Sequence, residues 1–113
     1  MLKITTDKVY LTRGDNADIL VKIYNEDKTE YVLQPGDTLT FTLKNNCETS
    51  TVLIQKDCTS DSKIHIVPAD TDSLAYGTYY FDVVLVTATS KVYTVIPPHE
   101  FIISKEVTFN AIP

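Results

Sequence analysis

Glycine is scarce: there are only three in 113 residues, all at turn positions, so the chain has no material for a glycine-rich loop that cradles a phosphate. Cysteine is scarce too. Two, Cys47 and Cys58, fall short of the density of an extracellular disulfide scaffold. The residues between them read as a strand end, a turn around "ETS" and a new strand. That places Cys58 at the far end of its strand, beyond the roughly 7 Å between alpha carbons that a disulfide spans. Two free thiols are expected, and no metal or cofactor site, because no further ligands gather near either one. Long apolar runs are absent. "FDVVLV" is far too short to cross a bilayer, so no membrane span is expected. The opening "MLKITTDKVY" has no apolar stretch followed by a small-residue cleavage site. Synthesis in the cytoplasm without a signal peptide is therefore expected. Positive charge is in deficit as well, with 10 Lys and Arg against 15 Asp and Glu and a net charge of -5. Such a chain lacks the field that holds a phosphate backbone, which argues against nucleic acid as a partner.

Catalytic apparatus is not evident either. His65 alternates with Ile64 and Ile66 and is expected to be a half-buried strand residue, while His99 in "PPHE" is expected in an exposed loop. A thiol–imidazole pair with Cys47 or Cys58 has no local signature. Asp70 and Asp72 resemble a fragment of a calcium loop, but further ligands at regular spacing are missing, and helix capping is the better reading. No pair of carboxylates is marked for acid–base work. The expectation is a non-enzyme without catalytic, cofactor-binding or metal-ligating residues.

What is present is alternation. With 43% hydrophobic residues, the chain reads as one domain over residues 1–113, large enough to bury about two-thirds of its unfolded surface. No segment sustains a helical period. Ala17, Ile19, Val21 and Ile23 share one face of "NADILVKIY", and Leu39, Phe41 and Leu43 share one face of "TLTFTLK". "KVYLT", "YVL" as the return of a hairpin, "TVLIQK", "KIHIV", "TYYFDVVLV", "KVYTVI" and "EFIISKEVTF" complete seven to nine strands with short turns between them. Pro97 and Pro98 separate the last two and are expected to break hydrogen bonding there. The pattern predicts an all-β fold, an immunoglobulin-like antiparallel β-sandwich.

In "VPADTDSLAYGTYYFDVVLV", Asp70 or Thr71 is expected to cap a helical turn that Gly77 ends, and Tyr79 or Tyr76 to tie down the corner. Tyr79, Phe81, Val83 and Leu85 then form the core face. The reverse face carries Tyr80, Asp82, Val84 and Val86, unusually apolar for a wet surface. Either a loop or the terminal strand covers it, or it docks another subunit, and these four residues are the candidate interface. Asp82 is expected to face outward beside a lysine.

"LTRGD" and "LQPGD" both lead into a strand, and the first contains Arg-Gly-Asp. The shared Gly-Asp favours a turn over an adhesion signal, with Gly14 and Gly36 at positive φ, Asp15 and Asp37 bonding backbone, and Arg13 incidental.

Four pieces in order, "LTRGDNADILVKI", "YVLQPGDTLTFTLK", "PADTDSLAYGTYYFDVVLV" and "YTVIPPHEFIISKEVT", carry a family-like pattern. Across roughly Thr6 to Phe109 the chain resembles the N-terminal domain of baseplate upper proteins from phages of Gram-positive bacteria. The resemblance implies a β-sandwich that attaches receptor-binding machinery at the tail tip. It further implies a location in the virion, other tail or baseplate proteins as partners, and self-association into a homo-oligomer as an open option. It implies no catalytic residues. Larger relatives continue into a stalk, whereas this sequence stops at "NAIP", so a stand-alone structural subunit or a fragment is expected, with attachment rather than host recognition as its role. The alternative is an immunoglobulin-like ligand-binding module, for carbohydrate, that uses exposed tyrosines.

Overall fold

Alternating apolar and polar residues give an extended chain one dry and one wet face, and the computed structural model consists mainly of such segments. It describes residues 2–4, 8–25 and 27–105. The strands are β1 (Leu2–Ile4), β2 (Lys8–Thr12), β3 (Ala17–Leu20), β4 (Thr38–Lys44), β5 (Ile54–Asp57), β6 (Lys63–Ile66), β7 (Gly77–Val86) and β8 (Val92–Ser104). A helical turn, α1 (Pro68–Thr71), precedes β7. Six strands form one mixed sheet in the order β1-β2-β8-β7-β4-β5, while β3 and β6 form a separate antiparallel pair. Among the described residues of the large sheet only β2 and β8 are parallel, with Val9 beside Phe101 and Leu11 beside Ile103.

Period two decides what lies inside. Tyr79, Phe81, Val83 and Leu85 of β7 are buried, as are Leu39, Phe41 and Leu43 of β4. From the smaller sheet, Ala17, Ile19, Ile64 and Ile66 enter the same hydrophobic cluster, and Val21 and Ile23 continue the alternation beyond β3. Within this cluster Phe41, Phe81 and Phe101 meet from three adjacent strands, their ring centroids 5.6, 5.9 and 6.3 Å apart. Tilted and edge-to-face contacts of this kind add to the gain from area burial.

β8 corrects the sequence reading. One strand runs through Pro97 and Pro98, where two strands are expected. Phe81 pairs with His99 and Val83 with Ile96, so Asp82 alone stands opposite both prolines. Val84 then pairs with Thr94, which leaves Val95 as a second extra residue. Bulges absorb the missing N–H donors, and β2 flanks only Glu100–Ser104, so the prolines lie where β8 has a neighbour on one side alone. His99 consequently sits half-buried in a strand and not in an exposed loop, its ring centroid 6.0 Å from that of Phe81. Of the expected closing strand, residues 106–109 lie outside the described residues.

Smaller corrections follow from pairing. β1 exists because Leu2–Ile4 pairs with β2, a match that alternation over three residues does not reveal. "YVL" is no strand: the hairpin is held by a lone bridge between Tyr24 and Glu30 and by the Tyr31 N–H on the Ile23 carbonyl at 2.7 Å. β5 begins only at Ile54. Both cysteines are free, Cys47 exposed and Cys58 buried.

The corner before β7 is tied from several sides. Asp70 occupies the third position of α1 and does not cap it from in front. Its carboxylate reaches back to the Val67 N–H at 2.8 Å and pairs with Lys56 Nζ at 2.8 Å. Thr71 is fully buried and accepts the Gly14 N–H at 2.9 Å. Tyr79 secures the corner by donating its hydroxyl to the Ala75 carbonyl at 2.7 Å.

The two Gly-Asp segments build the same turn. Asp15 N–H reaches Thr12 O at 3.1 Å and Asp37 N–H reaches Gln34 O at 3.0 Å, each across a glycine at positive φ, +86° for Gly14 and +90° for Gly36. That is the conformation a type II turn asks of its third residue. A side chain at position 36 meets both backbone strain and a neighbour, since an added Cβ would lie 2.7 Å from Ala88 Cβ.

Two stability predictions follow, both read by urea unfolding. Phe81→Ala is expected to cost about 3–5 kcal/mol, because it empties the centre of the aromatic cluster. Gly36→Val is expected to cost at least ~1–2 kcal/mol from positive φ alone. Unchanged stability in the second variant would mean that the turn is drawn wrongly.

Candidate functional site

β7 is paired on both flanks, so its outward side chains stand among those of β4 and β8. Tyr80 lies beside Lys44 and Glu100, Asp82 beside Thr42, Val84 beside Thr40 and Thr94, and Val86 beside Thr38 and Val92. All four β7 residues are half-buried. Tyr80, Asp82 and Val84 come together in an open concavity of about 330 Å³, walled by Lys44, Gln55 and Pro98. Val86 stands apart from it. Val52 and the exposed Cys47 also line the concavity. The hollow has a local cause: the double-proline bulge faces Asp82, and Pro98 forms one wall.

Asp82 faces outward near Lys44, but the two make no ion pair, and no described residue hydrogen-bonds its carboxylate. Partial burial raises its pKa, and the charge of Lys44 offsets that only in part. Nearby, Gln55 Nε2 donates to Thr42 Oγ1 at 3.2 Å. The surface therefore combines apolar walls, neutral hydrogen-bonding groups and one carboxylate without a direct partner. That equips it for binding. Elsewhere in the fold, desolvation by burial raises the pKa of the Cys58 thiol.

Three other polar groups serve the scaffold. Arg13 is not incidental: its Nη1 donates to the Leu74 carbonyl at 3.2 Å, and its guanidinium lies 4.4 Å from the Tyr76 ring centroid. The tripeptide is thereby folded against the corner before β7 and not presented on a protruding loop. Asp37 is buried and does more than bond backbone at a strand start. It accepts the Tyr31 hydroxyl, the Gln34 N–H at 2.9 Å and the Ala88 N–H at 3.2 Å, which joins the loop before β4 to the loop after β7. The Tyr31 bond, followed by that of Gln34, lowers its pKa.

His65 is exposed and not half-buried, and it bridges two elements. Its Nδ1 lies 2.6 Å from Asp18 Oδ1 on β3, and its Nε2 lies 2.7 Å from Asp61 Oδ2 in the turn before β6. Only the doubly protonated ring donates to both carboxylates. The bond to Asp61, then the bond to Asp18, raises its pKa.

The phase of one strand turns Tyr80, Asp82 and Val84 outward and sets a lysine beside Asp82, but it does not reveal that this lysine is Lys44 or that Gln55 and Pro98 join them. Consecutive Val95 and Ile96 ahead of two prolines are the available signal, because both pack on the core and so break the alternation where the bulge forms.

The His65 contacts give a pH prediction. A group whose folded pKa is raised stabilises the fold fully below its unfolded value, about 6.5, and that stabilisation is lost as pH rises through the folded value. Urea stability is expected to fall over this window. His65→Gln is expected to flatten the fall, and a ring titration by NMR at or below 6.5 would contradict it. No protein-family model, curated protein or solved structure matches this chain.

Proposed function

We propose that this chain is a non-enzymatic structural protein of a phage or prophage virion, an attachment and assembly module of the baseplate or tail tip. The observation that carries the reading is the outward face of β7, where Tyr80, Asp82 and Val84 line an open hollow on a strand paired on both sides. A rigid, partly apolar face of this kind suits a subunit that works by surface complementarity. The resemblance to the N-terminal domains of phage baseplate upper proteins supplies the biological setting: other tail proteins as partners, with self-association as a further route.

The architecture that goes with this reading is an immunoglobulin-like sandwich. Its supports are the antiparallel pair β3–β6, the shared hydrophobic cluster, the parallel run of β2 along β8, and the tyrosine at the start of β7 that bonds back to the Ala75 carbonyl. A ligand-binding module for carbohydrate is the second reading. It is favoured by one feature of the hollow, the neutral groups of Gln55 and Thr42 beside the ring of Tyr80.

Val84→Lys separates folding from attachment. The variant is expected to keep its urea midpoint, since residue 84 points away from the core, and to be lost from particles when it replaces the native chain. Incorporation at the native level would remove this face from the account, and a strong response to a glycan array would favour the second reading.

A further inference from the structure

The geometry points to an arginine side chain of a partner protein as the occupant of the hollow, its guanidinium on Asp82 and its stem along Tyr80, Val84 and Pro98. This inference rests on the attachment reading and names the chemistry of the contact. Three observations carry it. First, the Asp82 carboxylate lies in a concavity without a hydrogen-bond or ion-pair partner among the described residues. Lys44 is near enough to act through its charge but does not close on the carboxylate. A half-desolvated carboxylate left in this way gains most from a cation with directed donors.

Second, the lining suits a long side chain with a flat charged end. The lining includes Val52, Val84 and Pro98, which accept methylene groups, and the Tyr80 ring, over which a guanidinium stacks. A volume of about 330 Å³ holds one such side chain and leaves room for water. Arginine fits better than lysine, because its planar fork reaches both carboxylate oxygens while lysine offers a single strongly hydrated charge. Third, the chain carries a net charge of -5, which favours the approach of a basic surface. The bulge completes the case. Two prolines opposite a single aspartate clear the space beside it, and a bulge commonly re-aims a side chain next to a binding site.

The test uses the whole chain, labelled with nitrogen-15, and three probes: Nα-acetyl-arginine methylamide, its neutral isostere Nα-acetyl-citrulline methylamide, and methyl glucoside. The arginine probe is expected to shift the amide resonances of residues 44, 55, 80, 82 and 84, more weakly as salt is raised. Citrulline is expected to bind about tenfold or more weakly, the loss of one charge-assisted contact. Asp82→Asn, whose fold the dispersion of the same spectrum verifies, is expected to reduce arginine to the citrulline level. Equal binding of arginine and citrulline overturns the inference, as does an unaffected Asp82→Asn variant or a response to the glucoside alone. If arginine fails while Val84→Lys still abolishes incorporation into particles, the arginine contact falls and the attachment reading stands.

Discussion

Every other feature hangs on the two-sided pairing of β7. This strand bonds β4 on one flank and β8 on the other, so its backbone is fixed and its side chains have two directions only. One direction places Tyr79, Phe81, Val83 and Leu85 in the core, where Phe81 touches both Phe41 and Phe101. The other places Tyr80, Asp82, Val84 and Val86 on the outside. A slip of one residue would exchange the two sets and drive Asp82 inward, so burial of the phenylalanines also fixes what the outward face presents. Core and candidate interface are two consequences of one register.

The ends of β7 are secured by polar groups placed where the chain turns. At its start, Tyr79 holds Ala75 and Thr71 holds Gly14, while Arg13 reaches across to Leu74. Past its end, Asp37 holds Ala88, Gln34 and Tyr31. Both Gly-Asp turns thus brace the same strand from opposite ends. In each, a glycine at positive φ lets the chain reverse, and side chains in or beside the turn bond across to another segment.

Much of this was legible in the sequence because period two is a direct record of burial. The core faces of β4 and β7 and the positive φ of Gly14 and Gly36 follow from alternation and turn chemistry, while the corner tyrosine is narrowed only to Tyr79 or Tyr76. What was not legible depends on pairing between distant segments. Nothing local shows that Leu2–Ile4 lies along β2, that Gln55 and Pro98 stand by Asp82, or that the lysine expected beside it is Lys44. The double proline misled, because its missing donors suggest a break whereas a bulge on a one-sided stretch of β8 accommodates them. Arg13 and His65 were undervalued for a related reason: each has a partner far off in the sequence, Leu74 at 61 residues and Asp18 at 47, although His65 also bonds Asp61 only four residues away.

The central claim is that the outward face of β7 lies against another protein inside a virion. Site-specific photo-crosslinking from position 80, followed by mass spectrometry of purified particles, addresses it directly. The account predicts that the chain is found in the particles and that a crosslinker at position 80 joins it to a different tail or baseplate subunit, or to a second copy, while one at the exposed position 65 does not. Absence of the chain from the particles, or a position 80 that stays uncrosslinked within them, would contradict it.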